Sequence, residues 1–162
     1  MLLLCLGVSA QEKNTPTDHI IIEGKVKSAF VITLKEIMSM PSIHLDSCVI
    51  KNHMMQKKYT LTNMEVVPLK NILSKVSIDA EDPKQLSEFY FVFVASDNYK
   101  VVYSWNEIFN SSTGDHIFVI KRNNGNDATN QNDAISVLCN SDNATGRRYV
   151  KGLQKIIIGR AN

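Results

Sequence analysis

The chain has 162 residues, of which 44% are apolar and 21% are charged, and its formal net charge is +2. This length predicts one domain with room for a hydrophobic core, and the composition is that of an ordinary soluble globular protein. The small net charge argues against nucleic acid or an anionic membrane as the main partner. No apolar run is long enough to span a bilayer.

The first residues predict an export signal. Residues 1–8 are mostly apolar, and Val8-Ser9-Ala10 fits the small-residue rule that precedes a cleavage point. The usual basic segment before the apolar stretch is missing, which suggests that the signal is truncated; the alternative is a buried first strand. We expect a periplasmic or secreted protein with a signal peptide at residues 1–10, a linker at 11–18 and a domain at 19–160.

Cysteine usage leaves two alternatives open. Cys5 would leave with the signal, so that Cys48 and Cys139 remain in the mature chain. An exported protein can join such a pair in a disulfide, but two cysteines give no framework pattern. The chain has no CxxC or HExxH motif and its four histidines are scattered, which argues against a zinc site.

The first half of the domain predicts strands separated by short helices. Strands are expected at residues 19–26, at 30–32, at 43–50 and at 59–62. Thr33 and Glu36 have the spacing of a capping box, so a helix should begin there and end before Pro41. Pro68 predicts the first turn of a second short helix, where its missing amide hydrogen costs nothing.

The second half continues the same alternation. The aromatic and β-branched segment 89–95 predicts a central strand buried on both faces, followed by a returning strand at 100–103. Ser104 and Glu107 repeat the capping-box spacing. Further strands are predicted at 116–121, 135–139 and 149–158, with a polar loop at 122–133. The pattern predicts a mixed α+β domain dominated by strands, with short capped helices at the sheet margins.

Four segments then occur in an order that resembles a known family. They are Val67-Pro68-Leu69-Lys70-Asn71-Ile72-Leu73, residues 95–99 with 104–108, residues 116–120 with Asn124-Gly125, and residues 146–153 with Ile156. These segments are similar to the "G-x-P-L-x-x-L-L" (here without its glycine), "A-x-D-G-Y", strand-plus-Asn-Gly and closing "G-x-R-x-V-K-x-L-x-x-I" motifs of the molybdopterin-binding domain of the sulfite oxidase family. The resemblance covers roughly residues 20–158.

This resemblance implies a sulfite oxidase-type fold that holds molybdenum through the dithiolene of molybdopterin and one cysteine thiolate. Cys48 falls where the family's cysteine ligand lies, and Tyr99 falls where family enzymes carry a tyrosine beside the metal. Lys151 matches the lysine that approaches the pterin. Arg147 and Arg148 suit the cofactor phosphate, because a guanidinium binds phosphate through paired hydrogen bonds.

Each of these residues also has a purely structural interpretation. Cys48 could be a buried core thiol, as most free cysteines are. Tyr99 could pack over a turn, and the two arginines could belong to a solvated basic loop. The sequence leaves these alternatives open.

The largest departure from the family precedes the last strands. Fully active relatives carry "H-G-x-P-x-R" there, whereas residues 131–136 read QNDAIS. The loss of two charge-assisted contacts, at about 1.5–3 kcal/mol each, would weaken cofactor binding by a few orders of magnitude.

Three functions therefore compete. The first is an exported molybdopterin protein that transfers oxygen atoms or electrons, with a redox or structural partner protein. The second is a non-catalytic module that kept the fold, lost the cofactor and binds a partner or small ligand. The third is an exported thiol protein that uses Cys48 and Cys139.

Overall fold

The computed structural model describes residues 15–132 and 134–161. The predicted signal peptide, Cys5, the first part of the predicted linker and Asp133 lie outside the described residues. In the described part, the strands are β1 His19–Gly24, β2 Phe30–Thr33, β3 Ile43–Lys51, β4 Lys57–Pro68, β5 Phe89–Ala95, β6 Lys100–Ser104, β7 Ile117–Asn123, β8 Asn126–Asp127, β9 Ser136–Cys139, β10 Val150–Lys151 and β11 Leu153–Arg160. The α-helices are α1 Leu34–Ser39, α2 Leu69–Leu73 and α3 Trp105–Phe109, and short 3-10 helices span Pro83–Glu88, Ser112–His116, Ala128–Asn130 and Thr145–Arg148.

Two sheets organise these elements. The first has the strand order β2-β1-β11-β5-β6, in which β1 and β11 are parallel and the other neighbours are antiparallel. The second has the order β10-β9-β7-β4-β3 and is antiparallel throughout, with β8 added beside β7. The predicted mixed, strand-rich α+β class is confirmed.

The main core is one cluster of buried side chains drawn from both sheets. Phe91 and Phe93 reach it from β5, and Val67 and Val119 reach it from β4 and β7. The prediction that β5 is buried on both faces was wrong in part, because Tyr90 is exposed on the opposite face. β5 lies next to the edge strand β6, and the alternation of a sheet sends every second side chain away from the core.

The capping boxes form as the sequence predicts. At the start of α1, Thr33 Oγ1 accepts from the Glu36 amide at 3.2 Å, while the Glu36 carboxylate accepts from the Thr33 amide at 2.7 Å. Ser104 and Glu107 make the same pair of contacts at the start of α3. These reciprocal bonds satisfy amides that a short helix would otherwise leave unpaired.

A second apolar cluster covers the other face of the second sheet. It contains Cys48 and Ile50 from β3 together with β4, β7 and β9 side chains. The 3-10 helix at Thr145–Arg148 contacts both β3 and β9, so the sheet curls around this cluster. In the described part of the chain, no helix is both long enough and apolar enough to cross a membrane.

Thr145 holds this curl together through its side chain. Its hydroxyl donates to the Val49 carbonyl at 2.7 Å and accepts from the Lys51 amide at 2.9 Å. The hydroxyl therefore replaces the neighbouring strand that the edge of β3 lacks at this point. Gly146 follows directly. A Cβ on this residue would lie 2.7 Å from the Lys51 carbonyl oxygen, so glycine is what allows the two backbones to approach this closely.

Candidate functional site

A cleft of about 610 Å³ opens where the curled sheet meets the hairpin turn between β5 and β6. Its size is in the usual range for small-molecule sites. Its walls come from the end of β3, the start of β4, that hairpin turn, the 3-10 helix at Thr145–Arg148 and β10. It is lined by Ile50, Lys51, Asn52, His53, Lys58, Tyr59, Tyr99, Gly146, Arg147, Tyr149 and Lys151.

Three of the five predicted site residues meet in this cleft. Tyr99, Arg147 and Lys151 all line it, although they belong to different elements. The Tyr99 hydroxyl donates to the Arg147 carbonyl at 2.6 Å, so the tyrosine fixes the backbone that carries the arginine. The predicted roles of these residues toward a cofactor stay predictions, but their convergence is a property of the fold.

The turn that presents Tyr99 depends on its neighbours. Asn98 has φ +63°, in the left-handed region, where the family motif that this segment resembles has glycine. Asparagine tolerates this conformation better than most residues. The Asp97 carboxylate accepts from the Tyr99 amide at 3.0 Å and closes the turn.

Lys151 lies near two aromatic rings that also line the cleft. Its Nζ is 5.3 Å from the ring centroid of Tyr149 and 5.8 Å from that of Tyr59. Both distances fall within the range of cation–π attraction, so the rings hold the ammonium in place. Ser136, which pairs with Lys151 across β9 and β10, has a buried hydroxyl without a hydrogen-bond partner among the described residues.

The cleft is positively charged. Lys51, Lys58, Arg147 and Lys151 line it, and no carboxylate lines it among the described residues. Cations gathered around a partly enclosed space attract small anions, because the surrounding protein screens their charge less than bulk water does.

Arg148, the fourth predicted residue, does not line the cleft. Its guanidinium donates to both carboxylate oxygens of Asp142 and, at 2.8 Å, to Glu107, and it lies 4.3 Å from the ring centroid of Tyr103. The hydrogen bonds to Asp142 raise the pKa of Arg148 above its usual value. Burial opposes the charged form of Glu107, but hydrogen bonds from the Ser104 amide and from Arg148 keep its pKa below the usual value. Arg148 therefore ties the loop before β10 to α3.

Cys48, the predicted metal ligand, also does not line the cleft. It lies on β3 in the second apolar cluster and is only 5% exposed. Ile50 follows it on the same side of the strand and lines the cleft in its place, about 7 Å further along. Burial raises the pKa of the Cys48 thiol, and Cys139 acts in the same direction. Both effects disfavour the thiolate, which is the form in which a cysteine binds a metal.

We expect both Cys48 and Cys139 to be inert toward an aqueous thiol reagent in the folded protein. Both thiols are free and buried, and burial raises the pKa of each. Titration with a chromogenic disulfide at mildly alkaline pH should give no reaction from either residue until denaturant is added. If the native protein reacted rapidly and Cys48→Ser did not, the result would contradict this expectation and would support a function as a thiol protein.

Several cleft residues were not predicted from the sequence. His53, Lys58, Tyr59 and Tyr149 lie in a turn, near strand ends or in a connecting loop. The sequence feature that could have indicated some of them is the basic and aromatic segment Lys57-Lys58-Tyr59. Among residues 15–132 and 134–161, no group of three or more histidine, cysteine or acidic side chains is placed to hold a metal ion.

No family model matches the chain, and no curated protein matches it significantly. Among solved structures, the crystal structure of the sulfane dehydrogenase SoxCD from Paracoccus pantotrophus is similar, with a TM-score of 0.61 and 14% sequence identity. The likeness covers 86% of this chain but only 37% of that chain. At this identity it shows the fold alone, and it supports the distant fold relationship that the sequence motifs predicted.

Proposed function

We propose that this chain is a non-catalytic binding module with a sulfite oxidase-type fold, whose basic cleft takes a small anion bearing a phosphate-like group. One observation carries the proposal: Tyr99, Arg147 and Lys151 converge on the cleft, whereas Cys48 lies outside it. The arrangement keeps the means to hold an anion and lacks the thiolate that would hold a metal.

The anion follows from the chemistry of the walls. Arg147 and Lys151 come from one side of the cleft, while Lys51 and Lys58 come from the β3–β4 hairpin. Ammonium and guanidinium groups give charge-assisted hydrogen bonds to phosphate oxygens, each contributing about 1.5–3 kcal/mol. The ring of Tyr59, which is partly exposed, offers a flat apolar surface for a planar part of the ligand.

The fit to molybdopterin is incomplete. The basic side chains suit the phosphate of such a cofactor, but the family's metal-binding cysteine corresponds to a thiol enclosed by apolar side chains. The segment at residues 131–136 also lacks the family's histidine and arginine. We therefore assign no redox step to this chain. We also propose that the protein is exported to the periplasm or beyond, which the sequence of residues 1–10 supports. A partner protein is a further part of the proposal.

Binding of defined anions to the full chain tests the proposal. We would titrate inorganic pyrophosphate and flavin mononucleotide calorimetrically, the first as a charge probe and the second as a planar phosphate ester. Arg147→Met and Lys151→Met should each weaken binding about tenfold or more, because each removes one charge-assisted contact. Lys35→Met is the matched control, because Lys35 is an exposed lysine of α1 outside the cleft.

Two results would overturn this proposal. The first is that neither probe binds, or that the cleft variants bind as well as Lys35→Met does. The second is stoichiometric molybdenum in protein purified from a host that makes the cofactor, with loss of the metal in Cys48→Ser. That second result would restore the molybdopterin-dependent function.

A further inference from the structure

The turn between β3 and β4 displays two large apolar side chains to solvent. Met54 is 62% exposed and Met55 is 48% exposed, at the tip of the hairpin formed by β3 and β4. A methionine side chain is normally buried, so two adjacent exposed ones at a protruding tip are a feature that the core does not explain.

This tip is held rigidly by Asn52. Its side-chain oxygen accepts from the amides of Met54 at 2.9 Å and Gln56 at 3.0 Å, and its side-chain nitrogen donates to Gln56 Oε1 at 3.0 Å. The backbone adds Asn52 N to Gln56 O at 3.0 Å. The methionines are therefore presented on an ordered turn, which lowers the entropy that binding would cost.

The backbone of Met55 supports a role for its side chain. Its φ is +64°, in the left-handed region that glycine or asparagine occupies with less strain. The presence of an apolar side chain in a strained conformation at an exposed tip points to a contact that the free protein does not make.

Positive charge surrounds the apolar tip. Lys51 precedes it and Lys57 and Lys58 follow it, and the whole segment 47–64 contains no acidic residue. The chain's small net charge conceals this local excess, because the acidic residues lie elsewhere. Basic side chains around exposed apolar ones match a surface that has anionic headgroups outside and hydrocarbon beneath.

We propose that the β3–β4 hairpin tip docks this protein on an anionic lipid surface, with Met54 and Met55 entering the interface and the flanking lysines contacting the headgroups. A bilayer suits the geometry better than a folded protein, because a stable protein interface buries about 800 Å² on each partner. A five-residue tip is a narrow wedge, which an interface of loosely packed lipid accepts. Lys51 and Lys58 also line the cleft, but the two methionines and Lys57 do not, so the docking can be tested separately from the cleft ligand.

Cosedimentation of the full chain with vesicles tests this docking. We expect binding to vesicles that contain phosphatidylglycerol, weak binding to pure phosphatidylcholine, and a loss of binding as salt is raised. The combined change Met54→Ser and Met55→Asn should weaken partitioning about tenfold or more. Asparagine tolerates the left-handed position, so Met55→Asn should not lower the thermal midpoint of unfolding.

Three further variants make the result specific. Lys57→Glu, which lies outside the cleft lining, should also weaken binding to the anionic vesicles. Val102→Ser is the matched control, because Val102 is 56% exposed on β6 and contributes nothing to the hairpin. Arg147→Met should weaken binding of the cleft ligand but keep vesicle binding, which separates a failure of the docking proposal from a failure of the proposed function.

Equal binding to both kinds of vesicle would overturn the proposal, as would vesicle binding that the methionine and lysine changes leave unaltered. Absence of vesicle binding would also overturn it, and methionine-dependent binding to an acidic soluble protein would then assign the tip to a protein partner.

Discussion

Replacing Arg148 with methionine should lower the free energy of unfolding by about 2–4 kcal/mol, because it leaves two partly buried carboxylates without their shared cation. The Arg148 and Asp142 side chains are only 23% and 14% exposed, so water replaces the lost contacts poorly. Urea unfolding measures the loss. In a protein of this size it corresponds to a fall of roughly 5–10 °C in the thermal midpoint.

The neighbouring arginine supplies the control for this result. Arg147 is exposed and lines the cleft, so Arg147→Met should leave stability nearly unchanged while weakening ligand binding. Arg148→Met should show the reverse pattern, with stability lost and the cleft charges retained. Equal stability of the two variants would mean that the Asp142–Arg148–Glu107 network contributes nothing measurable.

The same variant has a pH signature. In the native protein the pKa of Glu107 is lowered, so its contribution is present above the usual glutamate pKa of 4.5 and is lost as pH falls through the lowered value. Arg148→Met removes part of the cause of that shift. Stability should then fall less steeply below pH 4.5 in the variant than in the native protein.

Replacing Thr145 with valine should lower the free energy of unfolding by about 2–3 kcal/mol, although the two side chains are nearly isosteric. The change leaves the Val49 carbonyl and the Lys51 amide without the hydroxyl that satisfies both. Because this hydroxyl joins the segment before β10 to β3, the cleft should also open, and ligand binding should weaken. Chemical unfolding and calorimetric titration measure the two effects.

Thr145→Ser keeps the hydroxyl and serves as the matched variant. It should retain most of the stability and of the ligand affinity, losing only the contribution of one methyl group. If valine were well tolerated and serine were destabilising, packing of the methyl group and not hydrogen bonding would be what closes the curled sheet.

The strands and capped helices could be predicted because they depend on local rules. The capping boxes at Thr33 and Ser104 involve residues three positions apart, and the structure forms both. The predicted strand at 59–62 is part of a longer β4, since a left-handed Asn63 and a register shift near Glu65 interrupt the apolar pattern without ending the strand. The predicted strand at 149–158 is likewise divided at Gly152, whose φ is +64°.

The site was less predictable, because it depends on contacts between distant segments. Tyr99 reaches Arg147 only after the β5–β6 turn packs against the segment before β10. The two arginines are adjacent in sequence and equally suited to phosphate, yet one lies in the cleft and the other in an ion-pair network. Cys48 differs from a cleft position by two residues along one strand, a distinction that the motif resemblance could not make.

The placement of β11 has a consequence for how the chain folds. This strand, the last in the described chain, lies between β1, the first, and β5, so the first sheet stays divided until Leu153–Arg160 is available. Contacts so distant in sequence slow folding, and β5 keeps an apolar unpaired edge until they form. During synthesis, therefore, the sheet can be completed only after the last strand has left the ribosome. Products shortened before β11 would therefore expose this unpaired edge and be prone to aggregation.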